Sequence, residues 1–284
     1  MDTKTRFILS IPFVIFGLLL TRAPFMMTPV APSKPWVDAG PMKLVTTPQF
    51  QTGRAQVTYN SILRGFNSIS LQAPLIRDQD KADFVGYCLA WFNFVKSHHD
   101  DEENTLFPEI ESVLNDKTIF DGTHQEHESF LGGLVEFGNY LKNLATPADF
   151  SGQELLRLMN AFQHPFEDHF HSEIATIAKL ADHPNAPKAG TPEHDATTEK
   201  FKTWGKNTVT KAGVTDVVPF FLLNLDRTVE DGLWANWPPM PAPIKWGLIN
   251  LAGAWHSGWW RFSSCDSNGD PQELWAYRAA ETKS

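Results

Sequence analysis

The chain has 284 residues, 42% hydrophobic and 20% charged, with a formal net charge of -9. That length buries a core without staples, and an acidic balance with no Lys/Arg cluster argues against a nucleic-acid partner. Two cysteines, Cys88 and Cys265, exclude a disulfide framework and a cysteine-rich zinc or iron–sulfur site. A bound metal must then take His and carboxylate ligands, and nine of the ten histidines fall between His98 and His194.

The first element in chain order is an apolar run, Phe7 to Leu20, preceded by Lys4 and Arg6. Its 14 residues are short against the roughly 17–25 of a comfortable membrane span. They suit a signal-peptide core, yet no small-x-small cleavage site follows closely. Residues 1–22 are therefore expected to be a signal anchor that ties the protein to a membrane in a single pass. Cleavage and secretion is the alternative, and a soluble chain with an apolar arm is the third reading. Residues 23–52, rich in Pro and Thr, read as a linker.

Four stretches with helical periodicity follow, within residues 53–182. Pro74, the Asn115-Asp116 region with Asp121-Gly122, and Thr146-Pro147 through Ser151-Gly152 separate them. Stepping along each at alternating intervals of three and four traces a packed seam. The first seam is Tyr59, Leu63, Phe66, Ser70. The second is Phe84, Cys88, Trp91, Val95, His98, Glu102, Leu106. The third is Phe120, His124, His127, Leu131, Leu134, Gly138, Leu141. The fourth is Leu155, Met159, Phe162, Phe166, His169, Glu173, Ile177, Leu180.

In three seams, ionisable residues interrupt an apolar run where the pattern faces the core. A buried carboxylate beside histidines is costly unless its charge is compensated. One His-x-x-x-Glu on a helix is usually a solvated i,i+4 pair. Here the unit occurs twice, at His98/Glu102 and His169/Glu173, and a third seam adds His127 with His124 one turn before it. The spacing puts each imidazole and carboxylate on one helix face. The reading is an all-α, up-down four-helix bundle whose interior holds metal, with His98, Glu102, His127, His169 and Glu173 as ligands. His99, Glu103, Glu126 and His171 flank these positions, either orienting the imidazoles or forming a solvated polar face.

The segments HHDDEENTLFPEIE (His98 to Glu111), EHESF (Glu126 to Phe130) and HFHSEI (His169 to Ile174) resemble the hemerythrin-like, HHE cation-binding family. NSILRGFNSISLQAP (Asn60 to Pro74) and PFFLLNLDRTVEDGLWANWPPMP (Pro219 to Pro241) are similar to the fungal branch and its carboxyl-terminal extension. The resemblance implies a di-iron centre bridged by Glu102 and Glu173, with zinc or manganese as the lesser alternatives. It also exposes a departure, because Tyr59 stands where the family's first helix carries His. Tyr59 then ligates as a phenolate, hydrogen-bonds to a bound oxygen, or marks a lesioned site; His124 is a candidate for the missing nitrogen.

The last segment, 183–284, carries eight of the ten tryptophans in its part beyond residue 200. It reads as extra core packed on the bundle, as a lid shaping a substrate pocket, or as an interfacial membrane anchor. Three functions stay open. The first is an oxidase or oxygenase that uses O2 on a small organic substrate, with natural-product tailoring implied by resemblance alone. The second is an O2 or iron carrier or sensor. The third is a membrane-tethered protein with a degenerate metal site.

Overall fold

Apolar residues at helical spacing organise the chain from its first described element onward. The computed structural model describes residues 54–281 apart from 181, 189, 229–231, 233, 234, 237 and 239. The apolar segment 1–22 and the linker 23–52 lie outside the described residues. Among the described residues the fold is all-α, with no strand and no helix long and apolar enough to cross a membrane.

Helix α1 (Arg54–Gln72) buries Tyr59, Ile62, Leu63, Phe66 and Ile69. It gives way to a 3-10 turn, Ala73–Leu75, that contains Pro74. Helix α2 (Lys81–Asp101) returns antiparallel to it, with Trp91 Nε1 donating to the Ile62 carbonyl at 3.0 Å. A π-turn, Glu102–Leu106, then leads into α3 (Phe107–Leu114). Pro108 accounts for the turn, since it has no N–H and its ring crowds the carbonyl four residues back. The wider turn, closed from the Phe107 N–H to the Glu102 carbonyl, absorbs that conflict, and such turns recur at functional sites. Asn115, in the left-handed region at φ 49°, ends α3 as Asn commonly does.

Helices α4 (Asp121–Lys142) and α5 (Gly152–Leu180) form the other antiparallel pair. Two expected breakers prove to be helix starts: Asp121-Gly122 opens α4 and Gly152 opens α5. Pro165 lies inside α5 and removes one hydrogen-bond donor a turn before His169. Trp91, Phe137, Phe162 and Phe166 stack edge-on where the four helices meet. The up-down bundle read from the seams is thus the observed architecture.

The carboxyl-terminal segment wraps the α1–α2 side. Helix α6 (Pro192–Ala212) lies against α2, and α7 (Val217–Leu223) is buried along its whole length. Phe220 packs on Tyr87 at 4.9 Å. Small residues permit the approach: a Cβ on Gly86 would sit 2.1 Å from the Trp259 ring. Arg64, buried on α1, pairs with Asp226 at 3.3 Å and reaches the Ser264 hydroxyl at 3.2 Å. The Trp259 contact lies twelve residues along α2 from His98, roughly 18 Å away. That contact therefore lies on the flank of the bundle, away from the ionisable end.

Candidate metal centre

Four helices deliver the ionisable residues to one end of the bundle. Tyr59 comes from α1 and His98 and His99 from the last turn of α2. Glu102 and Glu103 lie in the π-turn, His127 on α4, and His169 and Glu173 on α5. His98, Glu102 and Glu173 bring one ligating atom each within 4.8 Å of one another. His99, Glu103 and His127 do the same.

Glu102 and Glu173 are both fully buried, and none of their four carboxylate oxygens has an aligned hydrogen bond. His98 Nε2 lies 3.1 Å from Glu102 Oε1, again without alignment. His169 Nε2 lies 3.4 Å from Glu173 Oε2, and His127 Nε2 lies 4.0 Å from Glu102 Oε2. Buried carboxylates without partners are rare and cost several kcal/mol each, roughly. Burial first, and then the neighbouring Glu173, raises the Glu102 carboxyl well above its ordinary range. Burial likewise raises Glu173, against a pull downward from His169.

A second ring of carboxylates behaves in the opposite way. Burial pushes Glu103 and Glu126 up, but hydrogen bonds from histidines outweigh it and hold both below the usual range. Glu103 accepts from His127 Nδ1 at 2.5 Å and from His124 Nδ1 at 2.8 Å. Glu126 accepts from His169 Nδ1 at 3.2 Å. With Nδ1 carrying the proton, each Nε2 presents a lone pair. The two Nε2 atoms face each other at 3.2 Å.

Two facing lone pairs repel, and a cation bound by both removes the repulsion. Burial, and then the neighbouring histidines, bring His98 down to about 3; burial, and then His169, does the same for His127. Both are thus neutral, the form that ligates metal. The donor set fits a metal of the iron, manganese or zinc type.

Tyr59 is fully buried, with its ring 5.5 Å from His98 and 5.1 Å from Phe170. Its hydroxyl has no aligned hydrogen bond. Burial first, and then the charges of Glu173 and Glu102, raise its pKa well above the usual phenol range. It therefore stands against the carboxylate pair as a neutral phenol. His124, a candidate for the missing nitrogen, sits at the rim and is bonded to Glu103. His99 is buried, with its ring 4.5 Å from that of His127. His171 is half-buried and falls in neither group of ligating atoms. Sequence reasoning missed the π-turn that carries Glu102 and Glu103, although Pro108 two residues beyond Leu106 was its available signal.

Fold and site together define a four-helix-bundle protein with a buried His–carboxylate centre built for metal. Residues 60–181 match the model of the Hemerythrin HHE cation binding domain. The chain is also 31% identical, over 264 residues, to a dimeric xanthone biosynthesis cluster protein of Cryptosporiopsis sp. (strain 8999). That alignment spans 85% of this chain and 93% of the relative. The chain belongs to the hemerythrin HHE cation-binding family. No solved structure matches it.

Proposed function

We propose that this is a non-haem di-iron protein that handles O2 and oxidises a small organic molecule in natural-product tailoring. The single observation that carries the metal reading is the inward convergence of buried carboxylate oxygens and imidazole nitrogens on one another. Glu102 and Glu173 offer four oxygens without aligned bonds, and the Nε2 atoms of His127 and His169 converge on one another. His98, Glu102, His127, His169 and Glu173 would hold the metals. Such a pair, when bound, supplies reversible binding or activation of O2.

This chain's own residues do the rest. Glu103 and Glu126 fix the tautomer of His127 and His169, which aims each Nε2 inward. Phe130 and Phe170 pack on the His169 ring and Phe166 packs on both, which gives the imidazole apolar surroundings. Tyr59 holds a phenolic proton beside Glu173 where the family pattern has an imidazole. The tailoring role is supported by the relative, which its name assigns to a xanthone biosynthesis cluster.

The test is to purify the full chain with iron supplied and measure metal per chain, the visible spectrum in air, and O2 uptake with xanthone-type aromatic compounds. Two irons per chain, a visible band and product formation support the proposal. Metal well below one per chain, without colour or O2 uptake, overturns it. Two irons with a reversible spectral change and no product with any substrate offered would make the protein a carrier instead.

A further inference from the structure

The 33 acidic residues of the chain avoid one long stretch. Between Asp231 and Asp266 there is no Asp or Glu, while Lys245 and Arg261 both fall inside it. Within this stretch the short helix Ala242–Gly247 continues into a π-turn, Leu248–Ala252, and a 3-10 turn, Gly253–His256. One side buries Leu248, Ile249 and Gly253, with the π-turn seated on α7. The other side leaves Trp246 56%, Leu251 66% and Trp255 81% exposed. Only five large hydrophobic residues are exposed among the described residues, and three of them lie within these ten positions.

A basic cleft opens beside this face. It encloses about 720 Å³, and Arg227, Lys245, Trp246, Asn250 and Asn268 lie along its walls with no carboxylate among the lining residues. The Arg227 guanidinium is held in place by donating to the Ser267 carbonyl at 2.9 Å. Burial, and then the charge of Arg227, lowers the Lys245 ammonium pKa. Burial also lowers Arg227, against an upward pull from Cys265, Asp266 and Asp270, and an anion entering the cleft would be drawn to both cations.

We propose that this face docks on a lipid bilayer, with Trp246, Leu251 and Trp255 at the headgroup–acyl boundary and the Lys245–Arg227 cleft on lipid phosphate. Exposed tryptophans beside cations, on a stretch of chain without Asp or Glu, match the chemistry of that boundary. The apolar run Phe7–Leu20 in the same chain supplies a second membrane signal, and stable anchoring takes two.

The test uses the full chain carrying Trp255→Cys, labelled with an environment-sensitive fluorophore. Cys88 and Cys265 are both buried, so the label goes to position 255. Adding vesicles of phosphatidylcholine with phosphatidylglycerol is expected to shift the emission to the blue. Adding Leu251→Asp to the labelled protein should abolish the shift, and Lys245→Glu should weaken it on the anionic vesicles. A label that stays in a water-like environment while the protein floats with the vesicles overturns the proposal, because anchoring then rests elsewhere. Emission already blue before vesicles are added also overturns it, since the chain's own apolar run or a second copy then covers the face.

Discussion

Tyr59 occupies the position where the family pattern places a histidine, and its surroundings decide what it does there. A phenol buried here keeps its proton, because burial penalises the phenolate first and the neighbouring Glu173 and Glu102 oppose it next. The two inner glutamates and the two inner histidines have opposite pH signatures in the metal-free protein. Glu102 and Glu173 bind protons more tightly when folded, so their stabilising contribution is present below the ordinary carboxyl value and is lost as pH rises through the raised one. His98 and His127 bind protons less tightly when folded, so theirs is present above 6.5 and is lost as pH falls towards about 3. Thermal melts of metal-free protein against pH are expected to show maximal stability on the acid side of neutral, and bound metal should remove the loss at higher pH. Glu102→Gln should raise the melting temperature of the metal-free protein at pH 7 and lower its metal content. Glu103→Gln acts through His127, and competition titration with a chelator should show metal affinity reduced by about 10–100-fold.

Two helical irregularities set the geometry of the site. The π-turn at Glu102–Leu106 places Glu102 in the interior and Glu103 on the imidazoles of His124 and His127. Pro165 interrupts the α5 hydrogen-bond ladder a turn before His169. Elsewhere the elements pack through glycine. Gly86→Ala would push a methyl group into the Trp259 ring, and overpacking of this kind costs about 1–3 kcal/mol. Denaturant melts followed by tryptophan fluorescence should show that loss. The metal content should not change, because Gly86 lies twelve residues from His98.

At the scale of the whole molecule, bundle and carboxyl-terminal segment share one core. Arg64 on α1 is buried against Asp226, Ser264 and Cys265, and Ser68 and Gln72 both donate to the Phe262 carbonyl. Unfolding should therefore be a single transition in which helical circular dichroism and tryptophan fluorescence coincide. Arg64→Ala leaves Asp226 buried without its cation, at a cost of about 3–5 kcal/mol. A melt that separates into two transitions in this variant would show that the ion pair couples the two parts. An unchanged single melt would argue against that role.

The helical class, three of the four seams and the inward His and Glu positions were legible in the sequence, because periodicity and the i,i+4 rule are local properties of the chain; in the third seam His124 and Leu131 are only half-buried, and Thr123, Phe130 and Phe137 are buried instead. Tertiary structure decided the rest. That Glu103 and Glu126 hold imidazoles rather than face solvent depends on how α4 and α5 approach the π-turn, which no single segment encodes. His124 lies at the rim, bonded to Glu103 on the π-turn. The tryptophan-rich segment coats a flank because Gly65 and Gly86 on α1 and α2 leave room for aromatic rings there. Packing of that kind follows from the shapes of partners distant in sequence, and spacing along one strand of residues does not report it.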